Sequence, residues 1–358
     1  MEDPIYVTKS FLPPRAEYDA WVDKAYASGT LTNNGPIHKE LEESLRARFE
    51  VPYLRLMANG TLALQLAIRA LGVKGKVITT PFSYVATTSA ILWEGCTPVF
   101  ADILPDTLCI DPSRIEKLID ADTTAILATH VFGIPCDVEA IEAIAQQHGL
   151  KVIYDAAHAF DVNYKGRSIL AWGDASTLSF HATKLFHTVE GGAVVLRDAG
   201  SDRKLRLLRS FGHYGDEHFS LGMNAKMSEV HAAMGMAVLP HVERIISQRK
   251  AVIARYDVAL AGRVRRPAVP DGTLYNQAYY PVILANAGER QRVIEGLAAQ
   301  GIHARRYFFP SLDTLPYLRS APCPISIDTS DRVLCLPLFP ELDSAQVDRI
   351  ASIVIASL

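Results

Sequence analysis

Asp155 and Lys184 each stand where a short apolar strand is predicted to end. Asp155 follows the strand 152–154, and Lys184 follows the strand 177–180. Doubly wound sheets bind ligands at the carboxyl ends of their strands, so a carboxylate and an amine placed there could act on one small molecule. Taken singly, each residue has an ordinary explanation, because most lysines are solvated surface charges and an aspartate after a strand often caps the next turn.

The turn Asn59-Gly60-Thr61 lies where a loop enters a predicted helix. Backbone N–H groups and a threonine hydroxyl at a helix N-terminus bind anions, and glycine lets the backbone come close to the anion. On its own, the turn is better explained as an ordinary N-cap formed by Thr61.

Together these segments match what pyridoxal phosphate requires of a protein. The cofactor needs a lysine for its aldehyde and a carboxylate against its pyridine nitrogen. It also needs a phosphate cradle, an aromatic ring against its own ring, and a donor near the ring hydroxyl. The residues predicted to meet these needs are, in that order, Lys184, Asp155, Gly60 and Thr61 with Ser179, Tyr84, and His158.

Predicted strands and helices alternate from residue 60 to residue 180, which indicates an α/β protein with a mostly parallel sheet between two layers of helices. The segment up to Pro14 is predicted to be an extended arm, and the first strong helix follows Pro36. A long helical stretch, 227–260, should kink at Pro240 and lead into a smaller unit. We therefore expect a large domain, 1–240, and a small α/β domain, 241–358.

Composition removes several classes of function. The net charge is −3 and no run of lysine and arginine occurs, so neither nucleic acid nor a membrane surface is an expected partner. Residues 1–9 lack the apolar core of a signal peptide, and a cytoplasmic location is expected. The five cysteines show no Cys-x-x-Cys pair, and His181 and His187 lack partners at metal-ligand spacing. We expect reduced, mostly buried thiols and no metal site.

Nucleotide-hydrolase, nicotinamide-binding, zinc-peptidase and serine-hydrolase motifs are also missing from the sequence. The chain resembles, nearly end to end, the DegT/DnrJ/EryC1/StrS aminotransferases, the nucleotide-sugar branch of the fold-type I pyridoxal-phosphate enzymes. The segments that carry the resemblance are 31–36, 58–64, 80–87, 155–159, 179–184, 190–192, 222–229 and 305–310.

The resemblance implies a mixed, mostly parallel seven-stranded sheet and assigns roles to residues. Lys184 looks like the Schiff-base lysine and proton shuttle, and Asp155 like the partner of the pyridine nitrogen. Tyr84 would stack on the ring, Gly60, Thr61 and Ser179 would hold the phosphate, and His158 stands where many members have glutamine. Asn224 matches an asparagine that reaches the phosphate from the neighbouring subunit, which implies a homodimer with shared active sites.

The same resemblance implies L-glutamate as amino donor and a nucleotide-linked keto sugar as acceptor. The similar sub-branch aminates C4 of dTDP-4-keto-6-deoxyglucose, giving dTDP-4-amino-4,6-dideoxyglucose, a precursor of surface polysaccharides such as lipopolysaccharide O-antigen. Arg305 and Tyr307 are candidate sugar-nucleotide contacts, and a plain strand edge explains them about equally well.

Alternatives remain open at this point. One is amination at C3 of a 3-keto-6-deoxy dTDP-sugar by the same mechanism. A dehydratase of the same fold would carry histidine in place of Lys184. A pyridoxal-phosphate-binding regulator without turnover is a further possibility. A hydrolase would use Asp155 and His158 as a relay and Ser179 as nucleophile, with no bound cofactor.

Overall fold

The computed structural model describes residues 3–358; Met1 and Glu2, which belong to the segment expected to lack a signal peptide, lie outside the described residues. Its centre is a seven-stranded sheet. The strands are β1 (Tyr53–Met57), β2 (Lys76–Thr79), β3 (Thr97–Phe100), β4 (Thr123–Thr129), β5 (Lys151–Asp155), β6 (Ala175–Ser179) and β7 (Gly192–Leu196).

The sheet order is β1-β7-β6-β5-β4-β2-β3. Pairings among β2 to β6 are parallel, and β7 runs antiparallel to both of its neighbours. The predicted mixed, mostly parallel sheet is therefore confirmed. Because β4, β5 and β6 run in the same direction, their carboxyl ends meet at one edge of the sheet.

Alternate residues of each central strand enter two different apolar clusters. In β4, Ala125 and Leu127 face one cluster, whereas Ile126 and Ala128 face the other. Both faces of the sheet are thus covered, which explains why these strands show no polar alternation in the sequence.

Twelve α-helices surround the strands in the described part of the chain. They are α1 (Arg15–Ser28), α2 (Pro36–Arg48), α3 (Gly60–Ala70), α4 (Val85–Trp93), α5 (Pro112–Ile115), α6 (Val138–His148), α7 (Ala199–Leu208), α8 (Glu229–Val238), α9 (Val242–Ala259), α10 (Ala287–Ala298), α11 (Pro324–Arg332) and α12 (Ser344–Ser357).

Short elements complete the fold. The two-residue strands are Ile5–Tyr6, Asn163–Tyr164, Arg167–Ser168, His213–Tyr214, Glu217–His218, Thr273–Leu274 and Ile302–His303. The 3-10 turns are Glu116–Leu118, Val131–Gly133, Ile169–Ala171, Leu239–His241 and Leu312–Thr314.

Helix α1 was not predicted from the sequence, in which the first strong helical pattern follows Pro36 and corresponds to α2. Only Ala25 of α1 is fully buried, so its apolar residues do not form a regular stripe that marks the helix. The predicted kink at Pro240 is confirmed, since the 3-10 turn Leu239–His241 separates α8 from α9.

A separate apolar cluster lies toward the C-terminus. It contains residues of α9, α10 and α12 together with β8 (Tyr280–Ile283) and β9 (Val333–Leu336), which form an antiparallel pair. The start of α9 packs in the core of the large sheet, and its middle packs in this cluster. The expected domain boundary between residues 240 and 241 therefore falls just before α9, which packs against both the large sheet and the C-terminal cluster. The division into two domains stays a prediction.

The N-terminal arm is extended from residue 3 to residue 14. Ile5–Tyr6 pairs in parallel with Ile302–His303, and the Val7 carbonyl accepts a hydrogen bond from the Leu338 N–H. Further along, Ser10 Oγ donates to the Ala182 carbonyl at 2.7 Å. The arm therefore connects the C-terminal unit with the loop that follows β6.

All five cysteines are buried free thiols, as predicted. Across residues 3–358, no helix combines the length and the apolar character needed to cross a membrane.

Candidate active site

A cavity of about 460 Å³ opens at the edge where β4, β5 and β6 end. The structure brings nearly all of the predicted site residues to its wall. Those that line it are Gly60, Thr61, Tyr84, Asp155, His158, Ser179, Lys184, Arg305 and Tyr307. Asn224 does not line the cavity of its own chain; it is exposed and pairs through its backbone with Ser210.

The anion cradle is formed by the start of α3 and the end of β6. Asn59, not Thr61, is the N-cap: its Oδ1 accepts from the Leu62 N–H at 2.9 Å. The Thr61 hydroxyl is thus left at the exposed second position of the helix, which corrects the capping role suggested by the sequence. A Cβ on Gly60 would lie 2.8 Å from the Ser179 Cβ, so only glycine fits here. The first N–H groups of α3 have no intrahelical partner and suit a phosphate.

Asp155 ends β5 and is 5% exposed. One oxygen accepts from Thr87 Oγ1 at 2.7 Å, and the other accepts from the Ala157 N–H at 3.1 Å. Burial is the largest effect and holds the pKa of this carboxyl above its usual value, while these two donors and the Lys184 charge oppose the shift. Asp155 therefore does hold the next turn, as its ordinary interpretation predicts, and also presents a buried carboxylate that a cation in the cavity would stabilise.

Lys184 reaches the cavity from the loop after β6. Its Nζ lies 3.4 Å from the Tyr279 hydroxyl. Burial lowers the pKa of the Lys184 ammonium to about 8, although the charges of Asp155 and Tyr84 oppose the shift. A lysine with a lowered pKa is a better nucleophile and base near neutral pH than a surface lysine.

The neutral state of His158 follows from its surroundings. Its Nδ1 accepts a hydrogen bond from the Phe132 N–H at 3.2 Å, so in the neutral ring the proton sits on Nε2. Its ring stacks on Phe308 with centroids 5.5 Å apart. Burial lowers the pKa of His158 well below 6.5. In the folded chain the ring therefore favours its neutral form.

Aromatic and cationic side chains form the outer wall of the cavity. Tyr84 precedes α4 and is 56% exposed. The Arg305 guanidinium lies over the Tyr307 ring, 5.1 Å from its centroid. The backbone of Arg305 also exchanges hydrogen bonds with Cys335, so this segment is a strand edge, and the side chains of Arg305 and Tyr307 line the cavity as well.

Several contacts of the site were not predicted from the sequence. Thr87 bonds Asp155, Tyr279 contacts Lys184, and Phe132 fixes the His158 tautomer. Ser83 and Thr87 lie four residues apart, the spacing at which side chains meet on one side of a helix, so their proximity was readable from the sequence. Tyr279 and Phe132 carry no such signal, because tertiary packing alone brings them to the site.

Three features of the cavity fit pyridoxal phosphate. They are the glycine at position 60, where a Cβ would clash with Ser179, the buried carboxylate of Asp155, and the lowered pKa of Lys184. The hydrolase alternative does not fit, because the Phe132 N–H occupies His158 Nδ1 while Thr87 and Ala157 hold Asp155. Within residues 3–358, no group of histidine, cysteine and acidic side chains could hold a metal ion.

Known proteins resemble this chain over nearly its whole length. A dTDP-4-amino-4,6-dideoxy-D-glucose transaminase from Shigella dysenteriae is 42% identical, with 99% of each chain covered. A protein of the same name from Escherichia coli is 38% identical over 99% of each chain. A crystal structure of DesI in the presence of its TDP-sugar product superposes with a TM-score of 0.94 at 35% identity, covering 99% of this chain and 93% of that one.

The superposition with DesI confirms the predicted fold class. The model of the DegT/DnrJ/EryC1/StrS aminotransferase family matches residues 15–355, which include every residue assigned to the cavity. A match of this extent, with two relatives well above 30% identity, shows that the chain is an aminotransferase and belongs to the DegT/DnrJ/EryC1/StrS family, whose aminotransferases depend on pyridoxal phosphate.

Proposed function

We propose that this chain transfers the amino group of L-glutamate to C4 of dTDP-4-keto-6-deoxyglucose, giving dTDP-4-amino-4,6-dideoxyglucose. The observation that carries the chemistry is the meeting of Lys184, Asp155 and an anion cradle in one cavity. The sugar is inferred from the two transaminases that are 42% and 38% identical to the chain.

Pyridoxal phosphate would supply an electrophilic aldehyde carbon and a protonated ring that accepts negative charge from the reacting carbon. Gly60, Thr61 and Ser179 would hold its phosphate, and Asp155 would face the pyridine nitrogen. Tyr84, which is exposed beside the cavity, is suited to cover the ring.

Lys184 is the group that moves protons. With its pKa lowered to about 8, a useful fraction of its amine is neutral near pH 7. The neutral amine removes the proton from the α-carbon of glutamate in the first half-reaction. In the second half-reaction the lysine delivers a proton to C4 of the sugar. Tyr279, 3.4 Å from Nζ, limits the positions that the amine can take.

His158 contributes a donor of fixed direction. Because Phe132 occupies Nδ1, the Nε2–H of the neutral ring is the donor available to the ring hydroxyl of the cofactor. Glutamine would offer a similar donor through its amide, so the histidine keeps the hydrogen bond without adding a charge.

The acceptor side of the cavity carries Arg305 and Tyr307. A guanidinium over an aromatic ring is suited to a diphosphate group and keeps the arginine in place. We assign these residues to the sugar nucleotide. Asn224, exposed and outside its own cavity, is assigned to the phosphate site of a second subunit in a homodimer.

Dehydratases of this fold would carry histidine at the position where this chain has Lys184. Amination at C3 remains the alternative, since the same proton transfers serve either carbon. A cytoplasmic location and a role in surface polysaccharide synthesis stay predictions.

A direct test is to incubate the cofactor-loaded protein with L-glutamate and a panel of 3-keto and 4-keto dTDP-, UDP- and GDP-sugars, and to locate the new C–N bond by NMR. We expect amination at C4 of dTDP-4-keto-6-deoxyglucose and at least a thousandfold loss, on the order of general-base removal, in Lys184→Ala. A product aminated at C3 would replace the proposed substrate. Near-normal turnover of Lys184→Ala would refute the mechanism.

A further inference from the structure

A row of buried hydroxyl groups ends at Asp155. Ser83 Oγ lies 3.0 Å from Thr129 Oγ1 and 2.8 Å from Thr87 Oγ1. Thr87 Oγ1 in turn lies 2.7 Å from Asp155 Oδ2. All of these residues are between 0% and 5% exposed, so the hydrogen bonds lie in a largely buried site.

The proton on each hydroxyl has only one consistent direction when Asp155 is ionised. A carboxylate only accepts, so Thr87 must donate its single proton to Asp155. Thr87 then accepts from Ser83, which has given its own proton and must accept from Thr129. The three hydroxyls are aligned toward the carboxylate.

This alignment favours the ionised form of the carboxyl group. Hydrogen bonds to a charged acceptor are stronger than those between neutral groups, and hydroxyls in a row polarise one another in a buried site. The Ala157 N–H donates to the second oxygen at 3.1 Å, so both oxygens of the carboxylate accept a hydrogen bond. Lys184 is the charged group that acts on Asp155.

We propose that the hydroxyl row of Thr129, Ser83 and Thr87 keeps Asp155 ionised and fixed in direction for the ring nitrogen of the bound cofactor, so that Thr87 is a positioning residue of the active site. The inference rests on the proposed function, because it assumes that Asp155 faces the pyridine nitrogen.

The chain offers a matched control in the next residue. Thr88 lies on the same helix, is also 0% exposed, and its hydroxyl has no hydrogen-bond partner among residues 3–358. Thr87→Val and Thr88→Val remove the same atom from the same helix and keep the branched shape, but only the first removes a bond to Asp155.

The test is the affinity of the apoprotein for pyridoxal phosphate, measured by titration and followed by absorbance and by quenching of tryptophan fluorescence. Loss of a hydrogen bond to a charged group should weaken binding about 10- to 100-fold in Thr87→Val. Thr88→Val should stay within about twofold of the wild type, since it removes an unpaired hydroxyl. Thr87→Ser, which restores the donor, should recover most of the affinity.

The absorbance spectrum of the bound cofactor gives a second readout. In Thr87→Val the band of the ring-protonated form should lose intensity relative to wild type, whereas Thr88→Val should keep it. Ser83→Ala leaves the bond between Thr87 and Asp155 but removes its support, and should weaken binding about 2- to 10-fold.

Each outcome decides a separate point. Failure of the wild-type protein to bind pyridoxal phosphate overturns the proposed function itself. Equal affinities and spectra of Thr87→Val and Thr88→Val in a protein that binds the cofactor overturn the role of Thr87. If Thr87→Val does not fold, Ser83→Ala decides, and wild-type affinity in that variant overturns the hydroxyl row.

Discussion

The contact between Gly60 and Ser179 gives a prediction of definite size. A Cβ on Gly60 would lie 2.8 Å from the Ser179 Cβ, closer than the 3.0 Å that real Cβ atoms keep. Gly60→Ala therefore pushes the start of α3 away from β6. Overpacking costs typically 1–3 kcal/mol, whereas alanine in place of a helical glycine returns up to about 1 kcal/mol. For an overpacking cost of about 2 kcal/mol, the middle of its range, the free energy of unfolding should fall by a net of about 1–2 kcal/mol.

Urea denaturation of the apoprotein measures this loss, and cofactor titration measures its functional effect. Because the displacement moves the N–H groups that face the phosphate, affinity for pyridoxal phosphate should fall. Affinity for pyridoxal, which lacks the phosphate, should change much less. A uniform loss for both ligands would place the damage elsewhere in the cavity.

Gly288 provides the control, since it lies in the first turn of α10 and a Cβ there would meet only side-chain atoms, Asn286 Oδ1 at 3.1 Å and Arg292 Nη1 at 3.8 Å. Gly288→Ala should be neutral or slightly stabilising. The double variant Gly60→Ala with Ser179→Gly removes the clash, so the mutant cycle should show a coupling of about 1 kcal/mol or more. An unchanged stability of Gly60→Ala, or a coupling near zero, contradicts the steric argument.

Further predictions concern pH, a buried carboxylate and the subunit contact. Burial lowers the pKa of His130 to about 3 and that of His158 well below 6.5, so the unfolded chain binds more protons than the folded one below about pH 6.5. The free energy of unfolding should then fall with decreasing pH by up to roughly 2–3 kcal/mol per pH unit, which urea midpoints at pH 7 and 5.5 would measure. His158→Gln should reduce this slope, and a flat pH profile of the wild type would contradict the prediction. Glu229 is 0% exposed and accepts hydrogen bonds from the N–H groups of Ile37 at 2.7 Å and His38 at 3.0 Å. Glu229→Gln should therefore lower the free energy of unfolding by about 1–3 kcal/mol, whereas Glu40→Gln, at an exposed position, should leave it unchanged. Inactive Lys184→Ala and Asn224→Asp subunits, mixed and reassociated, should regain about a quarter of the wild-type activity if active sites are shared, and none if they are not.

The sequence pattern was sufficient for the five parallel strands β2 to β6, whereas β1 and β7 lie outside the predicted alternation and the seven-stranded sheet was implied only by the family resemblance. Buried strands without polar alternation fixed the parallel core, and the direction of those strands placed Asp155 and Ser179 at one edge. Lys184 follows, because it lies only five residues beyond the end of β6 at Ser179. Strong local patterns and short loops were thus enough to bring most of the predicted site residues to one cavity.

Other features depend on contacts that no local pattern reveals. Helix α1 has a single fully buried residue, so periodicity does not mark it. The cap of α3 belongs to Asn59 because that residue is extended, with φ −165°, and Thr61 is already helical. Glu229 caps α2 across 192 residues of sequence, and Tyr279 reaches Lys184 across 95. Only the folded chain brings such pairs together.

The N-terminal arm has a practical consequence for work with this protein. Ser10 and Phe11 bind the loop of Lys184, Phe11 through its carbonyl to His187 Nε2 at 2.7 Å, while Ile5 and Tyr6 hold the C-terminal unit. Trimming the leading residues, or fusing a bulky purification tag directly to them, would loosen the lysine from a distance. Mutagenesis libraries confined to the cavity wall would not sample the arm, although it contacts the loop that carries Lys184.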